Sequence, residues 1–196
     1  MTVGELVPRL SGAGGAASLV DPAVLNRSVT SISCDSREVG PGSVFVAIRG
    51  QHHDGSHFAS ESMNRGAILV VSTSDLADVD CGSLVKVDNA RLALAELSSA
   101  FYRDPSRNLK VVGVTGTNGK TTTTYLLSSI FESAGWRCGR IGSVGYLTGG
   151  RESETDLTTP EAPKIQALLH EMVEHGCVAC VMEVSSHALA MRRVDE

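Results

Sequence analysis

The chain has 196 residues, of which 42% are hydrophobic and 20% are charged, as in an ordinary globular protein. This length provides one ample core or two modest domains. The formal net charge of -5 argues against a general nucleic-acid binder, which would normally carry a basic surface. No apolar run approaches the roughly 20 residues that span a bilayer, and the N-terminus lacks the apolar region of a signal peptide. We therefore expect a cytoplasmic protein with neither a nucleic-acid nor a membrane partner.

The first half of the chain contains three short apolar or β-branched runs that predict strands. They are SVFVAI at 43–48, AILVVS at 67–72 and SLVKV at 83–87. A loop and a short helix are predicted between the first two runs. A longer helix follows the third, with Asp88 or Asn89 as its N-cap and Asp104-Pro105 as its stop.

The polar, proline-marked stretch RDPSRNLK predicts a domain boundary near residue 107, which gives domains 1–107 and 108–196. After it, predicted strands and helices alternate, which indicates βαβ units on a parallel sheet. The elements are the strand KVVGVTG, the helix KTTTTYLLSSIFESAG, the strand RCGRIGSVGY, the polar loop LTGGRESETDLTTPEA, the helix PKIQALLHEMVEHG and the strand VACVMEVSS. The predicted fold class is α/β, with a small mixed N-terminal domain followed by the first part of a P-loop parallel-sheet ATPase domain.

Only three strands are predicted in the second domain, whereas a doubly wound sheet normally has five or six. We therefore expect a sheet that is cut off, in a portion of a longer protein. Such a sheet would leave its last strand with an unpaired edge and a bare apolar face. This predicts that the first domain folds on its own and that the second is prone to aggregation.

Cysteine usage indicates packing rather than chemistry. Two of the five cysteines, Cys177 and Cys180, form a C-x-x-C sequence within a run that is typical of a buried strand. Residues three apart on a strand point to opposite faces, which fits neither a pair of zinc ligands nor a redox dithiol. We interpret both as packing residues.

The stretch GTNGKTT, at 116–122, predicts a phosphate-binding loop. The general P-loop pattern is G-x-x-x-x-G-K-[ST], but Val114 stands where its first glycine belongs. The shorter loop still lets consecutive backbone N–H groups converge on phosphate oxygens at a helix N-terminus. Lys120 would neutralise charge on the β- and γ-phosphates, and the Thr121 hydroxyl would complete the shell of a Mg²⁺ ion.

The alternative is a glycine-rich turn that binds nothing, but the apolar strand before it and the amphipathic helix after it favour a nucleotide. Lys120 is the predicted catalytic residue. The β-branched run Thr122–Thr124 has a second interpretation, because it could simply cap and pack the first helical turn. The predicted ATP-binding residues are Gly116, Thr117, Asn118, Gly119, Lys120, Thr121 and Thr122.

With VVGVT before it, GTNGKTT resembles the Mur ligase family, the ATP-dependent amide-forming enzymes of peptidoglycan synthesis. The segment 35–58 resembles the N-terminal domain shared by the members that add the third peptide residue and the terminal dipeptide. LTTPEA (157–162) and MEVSSHAL (182–189) resemble the members that add the third residue to UDP-N-acetylmuramoyl-L-alanyl-D-glutamate. The resemblance covers essentially the whole chain. It implies three domains, of which this sequence holds the first and about half of the second.

The resemblance implies a reaction with ATP and Mg²⁺. ATP would phosphorylate the free carboxylate of the nucleotide-linked dipeptide, and the amine of an amino acid would attack the acyl phosphate. The amino acid would be meso-diaminopimelate or L-lysine, and diaminopimelate is the commoner choice. The sequence does not decide between them, because the domain that selects the amino acid lies outside it. We expect a monomer, and little or no ligase activity from this portion alone. Two alternatives stay open, namely the ligase that adds D-alanyl-D-alanine and a non-catalytic nucleotide-sugar-binding module.

The resemblance also implies roles for individual residues. Glu183, at the end of the strand VACVME, would be a Mg²⁺ ligand together with Thr121, with an exposed strand-end acid as the alternative. Ser36 would lie near the uridine nucleotide, or else would close a turn. The residues that would hold the UDP-muramoyl dipeptide are Thr158, Thr159, Ser185 and Arg193.

Several of these residue types also have plainer uses. Hydroxyls at loop ends are often only turn or cap groups, whereas a guanidinium such as that of Arg193 suits carboxylate and phosphate oxygens. The segment GQHHDG would contact uridine, although His52 and His53 also fit plain surface residues. His187 is assigned no metal. Met191 stands where some members carry a substrate-contacting glutamine, so that role is not carried over.

Overall fold

The computed structural model describes residues 1–11, 20–50, 53–155 and 157–196. These residues divide into two compact units, Met1–Phe101 and Tyr102–Glu196. The boundary near residue 107, and the function of each part, stay predictions. Among the described residues, no helix combines the length and the apolar character that a bilayer-spanning segment needs.

The described part of the first unit is built around a parallel sheet. Its strands, β1 to β4, span Ser31–Ser33, Ser43–Val46, Leu69–Ser72 and Leu84–Lys86. Its helices, α1 to α4, span Val3–Leu6, Pro22–Leu25, Ala59–Asn64 and Ala90–Phe101. Short 3-10 turns lie at Val7–Arg9, Ser36–Glu38, Gly55–Phe58 and Cys81–Ser83. The strands pair in the order β1-β2-β3-β4.

The three runs that predicted strands in this unit contain β2, β3 and β4. β2 and β3 are buried along their whole length, as expected for parallel strands covered on both faces. Helix α4 packs against β1, β2 and β3, and α3 packs against β3. The sequence analysis did not predict β1, whose three residues, Ser-Ile-Ser, carry too little apolar pattern.

Helix α4 begins and ends as its flanking residues dictate. The Asn89 side chain accepts hydrogen bonds from the backbone N–H groups of Arg91 (3.0 Å) and Leu92 (3.1 Å), so Asn89 is the capping residue. The backbone takes the left-handed conformation at Arg103 and Asp104, immediately before Pro105. The helix ends at Phe101, before Asp104-Pro105, so it does not run past the predicted stop.

The second unit is built around a mixed sheet. Its strands, β5 to β9, span Lys110–Val114, Cys138–Gly142, Gly145–Thr148, Arg151–Ser153 and Ala179–Glu183. Its helices, α5 to α7, span Lys120–Ser133, Ala162–Glu174 and Ser186–Ala190. A 3-10 turn lies at Pro105–Asn108. The strand order is β5-β9-β6-β7-β8; the first three strands are parallel, and β7 and β8 continue the sheet antiparallel.

Two hairpins replace parts of the prediction for this unit. The run RCGRIGSVGY was predicted as one strand, but the chain turns back at Ser143 and Val144, so that β6 and β7 pair antiparallel. The predicted polar loop contains β8, which follows a tight turn at Gly149 (φ 56°) and Gly150 (φ 90°); such angles favour glycine. Within the described residues the sheet thus has five strands, and the expectation of three is wrong.

The last strand is interior to the sheet. β9 pairs with β5 on one side and with β6 on the other, and all of its residues are buried. The expected unpaired edge on this strand is therefore wrong, because the third parallel strand lies between the first two. In the described sheet β5 is an edge strand, and its Val111 is 38% exposed. Whether this unit aggregates stays a prediction.

Alternate residues of β9 face two different clusters, as the two-residue period of a strand requires. Ala179 and Val181 pack with Cys138 and with partly buried residues of β5 and α5. Cys180 and Met182 face a larger cluster that includes α6. Its buried members are Leu109, Ile141, Tyr146, Ile165, Leu168, Leu169, Met172, Cys177, Cys180, Met182 and Val184.

The C-x-x-C cysteines share that larger cluster. Cys177 precedes β9, so the predicted alternation does not apply to it, and the opposite orientation of Cys177 and Cys180 is wrong. Burial raises the pKa of the Cys180 thiol well above its ordinary value. A thiol with a raised pKa keeps its proton at neutral pH and is a poor nucleophile. The buried environment is consistent with packing residues.

We predict that truncation of Leu169 destabilises the second unit much more than truncation of Leu126. Leu169 is 2% exposed and Leu126 is 61% exposed, and both lie on helices of this unit. Leu169→Ala should lower the free energy of unfolding by about 2–5 kcal/mol because it leaves a cavity, whereas Leu126→Ala should change it by less than about 1 kcal/mol. Denaturant unfolding followed by the fluorescence of Trp136, the only tryptophan in the sequence, measures both. Equal effects would contradict this packing.

We also predict selective alkylation of the cysteines. Iodoacetamide at neutral pH should modify Cys81, which is exposed, and should spare Cys180, since the raised pKa removes the reactive thiolate and burial blocks access. Peptide mass spectrometry of native and urea-unfolded samples measures the modification. Modification of Cys180 in the native protein as fast as in the unfolded one would contradict the buried placement.

Candidate active site

The carboxyl ends of three neighbouring parallel strands meet at one edge of the second sheet. The register pairs Val114, the last residue of β5, with Glu183, the last residue of β9. On the other side of β9, Ile141 of β6 pairs with Met182. The loop 115–119, the start of α7 and Ser143 follow these three strands. Ligands of open α/β sheets bind at this kind of edge.

The loop after β5 has the geometry of an anion-binding nest. Gly116 (φ 151°) and Gly119 (φ 80°) take backbone conformations that favour glycine. Lys120 Nζ donates a hydrogen bond to the Gly116 carbonyl oxygen at 2.8 Å, across the loop. In the described part of the chain, the backbone N–H groups of 117–122 have no hydrogen-bond acceptor. Bare N–H groups at the start of a 14-residue helix form a site for phosphate oxygens.

The threonine run divides between two uses. Thr122 and Thr123 are exposed, whereas Thr124 is fully buried. The Thr124 hydroxyl donates a hydrogen bond to the Thr121 carbonyl oxygen at 2.8 Å. Thr124 therefore packs the first helical turn, and a nucleotide contact by Thr122 stays a prediction.

Glu183 is a buried carboxylate, which excludes the alternative of an exposed strand-end acid. Its residue is 1% exposed. Oε2 accepts hydrogen bonds from Thr121 Oγ1 at 3.0 Å and from Ser143 Oγ at 3.2 Å, and Oε1 accepts one from the Ser143 backbone N–H at 2.9 Å. A Cβ on Gly142 would lie 2.3 Å from Oε1. The carboxylate thus has room only because residue 142 is glycine.

These residues fit a Mg²⁺ site. Every donor to Glu183 is neutral, and the described residues place no Lys, Arg or His within ion-pair distance of it. A buried charge without a partner is costly, so a cation beside Oε2 would stabilise it. The described residues contain no cluster of three or more His, Cys, Asp or Glu side chains. Mg²⁺ commonly needs only one or two carboxylates, because water and substrate phosphates complete its shell.

The predicted precursor-binding hydroxyls lie next to Glu183 in the fold. Thr159 is buried; its hydroxyl donates to the Glu183 carbonyl oxygen at 2.8 Å and accepts from the Ser185 N–H at 3.1 Å. The Ser185 hydroxyl accepts from the Ala188 N–H and caps α7. Thr158 Oγ1 lies 3.0 Å from Ser143 Oγ. Substrate contacts by these residues stay predictions, because their hydroxyls bond the protein in this structure.

Arg193 is also bonded to the protein. One Nη donates to the Thr159 carbonyl oxygen at 2.9 Å, and the other lies 2.6 Å from a carboxylate oxygen of Glu161. Its Nε is buried without a partner among the described residues. The guanidinium therefore stabilises the segment that carries Thr159 and Glu161. His187 and Met191 lie in α7 and at its C-cap.

Ser36 lies in the first unit, where it begins the 3-10 turn after β1. The preceding Asp35 accepts hydrogen bonds from the Arg37 side chain and backbone, and these hold the pKa of Asp35 below its ordinary value. The turn therefore presents a half-buried serine beside an ionised Asp–Arg pair. Its proximity to uridine stays a prediction. In the second predicted uridine loop, His52 lies outside the described residues, and His53 is exposed.

Two family patterns match the chain. The Mur ligase middle domain matches residues 114–196. The Mur ligase family, catalytic domain, matches residues 28–102. Each match covers most of one compact unit, and residues 1–27 and 103–113 lie outside both matches.

The chain belongs to the Mur ligase family. It is 43% identical over 169 residues to the UDP-N-acetylmuramoyl-L-alanyl-D-glutamate--2,6-diaminopimelate ligase of Alkaliphilus metalliredigens, covering 86% of this chain and 34% of that relative. The chain thus spans about a third of the length of the curated relative it matches.

Two solved structures show the same Mur ligase fold. A UDP-N-acetylmuramoyl-L-alanyl-D-glutamate--2,6-diaminopimelate ligase matches with a TM-score of 0.75 at 26% identity, over 95% of this chain and 38% of that one. MurF from Acinetobacter baumannii matches with a TM-score of 0.61 at 23% identity, over 94% of this chain and 36% of that one. The predicted α/β fold class is confirmed.

The sequence analysis missed two residues of this candidate site, Gly142 and Ser143. Their place beside Glu183 follows from the strand order, because β6 lies next to β9 and both strands end at the same edge of the sheet. The only sequence signal is a glycine and a small polar residue at the end of an apolar strand. That signal is too common to identify a site by itself.

We predict that Thr159→Val destabilises the second unit while Thr123→Val does not. Valine has nearly the shape of threonine but leaves the Ser185 N–H without its acceptor, which costs about 1–3 kcal/mol when the group is buried. Thr123 is exposed, so its substitution should change the free energy of unfolding by less than about 0.5 kcal/mol. Denaturant unfolding followed by Trp136 fluorescence measures both variants. A neutral Thr159→Val would show that this hydroxyl is not structural.

Proposed function

We propose that this chain carries the ATP-binding and precursor-binding portion of a cytoplasmic ligase that adds 2,6-diaminopimelate to UDP-N-acetylmuramoyl-L-alanyl-D-glutamate. One observation carries the proposal. The bare N–H groups of 117–122, the Lys120 ammonium and the Thr121–Glu183 pair converge at the carboxyl ends of β5 and β9. Few sites other than one for a nucleoside triphosphate with its metal need all three.

The phosphate loop has a defined task in this proposal. The N–H groups of 117–122 would donate to phosphate oxygens, and the helix dipole would favour the negative charge there. The Lys120 ammonium now donates to a neutral carbonyl oxygen. Transferring that donation to a phosphate oxygen would pair the ammonium with an acceptor of opposite charge, which strengthens the bond. Lys120 would then offset the charge that accumulates when a carboxylate meets a triphosphate.

Thr121 and Glu183 would hold the Mg²⁺ ion. When bound, the ion supplies positive charge for the phosphate oxygens and orients them. Glu183 is suited to this because its remaining lone pairs already accept from Ser143, which fixes the carboxylate before any ligand arrives. A fixed carboxylate loses less conformational entropy when it binds.

The chemistry activates a poor electrophile. An oxygen of the precursor carboxylate would bond to the γ-phosphorus of ATP as ADP leaves. The amine nitrogen of the incoming amino acid would then bond to the acyl carbon as phosphate leaves with its electron pair, and the nitrogen would lose a proton. The residues of this chain would position the two negatively charged substrates. Thr158, Thr159, Ser185 and Arg193 would contact the precursor peptide, and Ser36 the uridine end.

The name of the Alkaliphilus relative supports diaminopimelate as the added amino acid, with L-lysine as the other member of the class. The likeness to MurF is at 23% identity and shows the fold alone, so transfer of D-alanyl-D-alanine has less support. A monomer and little ligase activity from this chain by itself are parts of the same proposal.

We predict that Lys120→Ala weakens the binding of the slowly hydrolysed ATP analogue AMP-PNP, measured with Mg²⁺ by isothermal titration. The loss of one charge-assisted bond of about 1.5–3 kcal/mol corresponds to a dissociation constant higher by on the order of 10- to 100-fold. Lys86→Ala is the control, since this partly exposed lysine pairs with Asp75 in the first unit. Equal affinity of Lys120→Ala and the unchanged chain would contradict the phosphate loop.

Titration of two precursors into the same chain separates the alternatives. We expect UDP-N-acetylmuramoyl-L-alanyl-D-glutamate to bind and its tripeptide successor to bind more weakly. A preference for the tripeptide precursor would favour the D-alanyl-D-alanine ligase. Precursor binding without any binding of AMP-PNP would favour a nucleotide-sugar-binding module.

A further inference from the structure

Ser143 connects three parts of the second unit that are distant in sequence. It lies in the two-residue turn between β6 and β7, and it is exposed. Its backbone N–H donates to Glu183 Oε1 at 2.9 Å. Its hydroxyl oxygen lies 3.2 Å from Glu183 Oε2 and 3.0 Å from Thr158 Oγ1. The side chain therefore stands between the buried carboxylate and the segment 157–160.

The Ser143 hydroxyl is placed to donate to either of two acceptors, Glu183 Oε2 and Thr158 Oγ1. An ionised carboxylate only accepts, and a hydroxyl has one proton and two lone pairs. The single Ser143 proton can therefore bond only one of the two acceptors at a time. A cation that takes up the lone pairs of Oε2 would favour donation to Thr158, so the two contacts are coupled.

The segment 157–160 also reaches Glu183 by a second route. The Thr159 hydroxyl donates to the Glu183 carbonyl oxygen at 2.8 Å. The backbone of Glu183 is thus tied to Thr159, and its carboxylate is tied through Ser143 to Thr158. Movement of the carboxylate would therefore displace the Ser143 hydroxyl and change its contact with Thr158.

We propose that Ser143 is a positioning residue, which aims the Glu183 carboxylate for a divalent cation and couples the occupancy of that site to the order of segment 157–160. This rests on the proposed function, in which Glu183 holds Mg²⁺ and the segment contacts the precursor. Metal–nucleotide binding would then prepare the precursor site through a single hydroxyl.

Gly142 leaves the space that the Glu183 carboxylate occupies. A Cβ added at residue 142 would lie only 2.3 Å from Glu183 Oε1. An alanine there would therefore push the carboxylate away from the Ser143 N–H. Gly142→Ala moves the carboxylate, whereas Ser143→Ala leaves the backbone donor in place and removes only the hydroxyl. Both changes should weaken metal binding, for different reasons.

The test measures binding without turnover. Isothermal titration gives the affinity of the full chain for AMP-PNP with Mg²⁺ and with EDTA, and the ratio reports the contribution of the metal. We expect Ser143→Ala to lower this ratio by about 10-fold, the usual effect of losing a hydrogen-bond partner of a metal ligand, and to leave the affinity in EDTA unchanged. Ser143→Thr should restore the ratio because it restores the hydroxyl. Ser129→Ala, at an exposed position of α5, is the matched control.

Hydrogen exchange gives the second readout, which a purely structural role would not move. Mg²⁺ with AMP-PNP should slow amide exchange in 157–161 of the unchanged chain and of Ser143→Thr, but not of Ser143→Ala. In a Glu183→Gln background, Ser143→Ala should have no further effect on the metal ratio, since the residue acts through that carboxylate.

The outcomes separate this inference from the proposed function. If the unchanged chain shows no magnesium-dependent binding of AMP-PNP, both fail. If it shows such binding and Lys120→Ala weakens it, the nucleotide site stands. In that case, a Ser143→Ala variant that matches Ser129→Ala in both readouts would overturn the role of Ser143 alone.

Discussion

The insertion of β9 between β5 and β6 is the constraint on which the candidate site depends. Parallel strands end at the same edge of a sheet, so this order brings together groups that are 62 residues apart (Thr121 and Glu183) and 40 residues apart (Ser143 and Glu183) in sequence. Strand β9 is stable in this position because both of its faces are covered with apolar side chains. The apolar run VACVM is therefore as necessary to the site as the polar residue that ends it.

Burial of Glu183 explains why its surroundings are made of hydroxyls and backbone groups. A carboxylate that leaves water must recover its hydrogen bonds, and three neutral donors do so in part. A lysine or arginine at hydrogen-bond distance would satisfy the charge fully, but it would also occupy the position that a divalent cation needs. Neutral donors hold the carboxylate in one orientation and leave its charge available. In the proposed function, a bound cation would therefore stabilise this arrangement.

Much of this arrangement could be predicted from local patterns, and the rest depends on strand order. The runs that contain β2, β3 and β4 and the helices α5 and α6 follow from apolar periodicity and turn residues. The phosphate loop follows from its Gly-Lys-Thr motif, and the metal role predicted for Glu183 follows from the family resemblance. The two hairpins after β6 could not be predicted in this way. Their turns lie inside RCGRIGSVGY and the polar loop, where the apolar pattern is too weak to show where one strand ends and the next begins. Ser143 could not be predicted, since its contacts with Glu183 exist only when β6 lies beside β9. The error on Cys177 arose because β9 begins at Ala179, two residues after that cysteine.

The residues proposed to bind the metal and the precursor share one piece of backbone. The Thr159 hydroxyl bonds both the Glu183 carbonyl oxygen and the Ser185 N–H, and Arg193 in turn bonds the Thr159 carbonyl oxygen. Neither Thr159 nor Arg193 can give these bonds to a ligand without loosening segment 183–185, which carries the buried carboxylate. A precursor that bonds Arg193 must therefore compete with Glu161 and Thr159 for its donors. Competition of this kind would couple the two sites through bonds that already exist, with no need for a large conformational change.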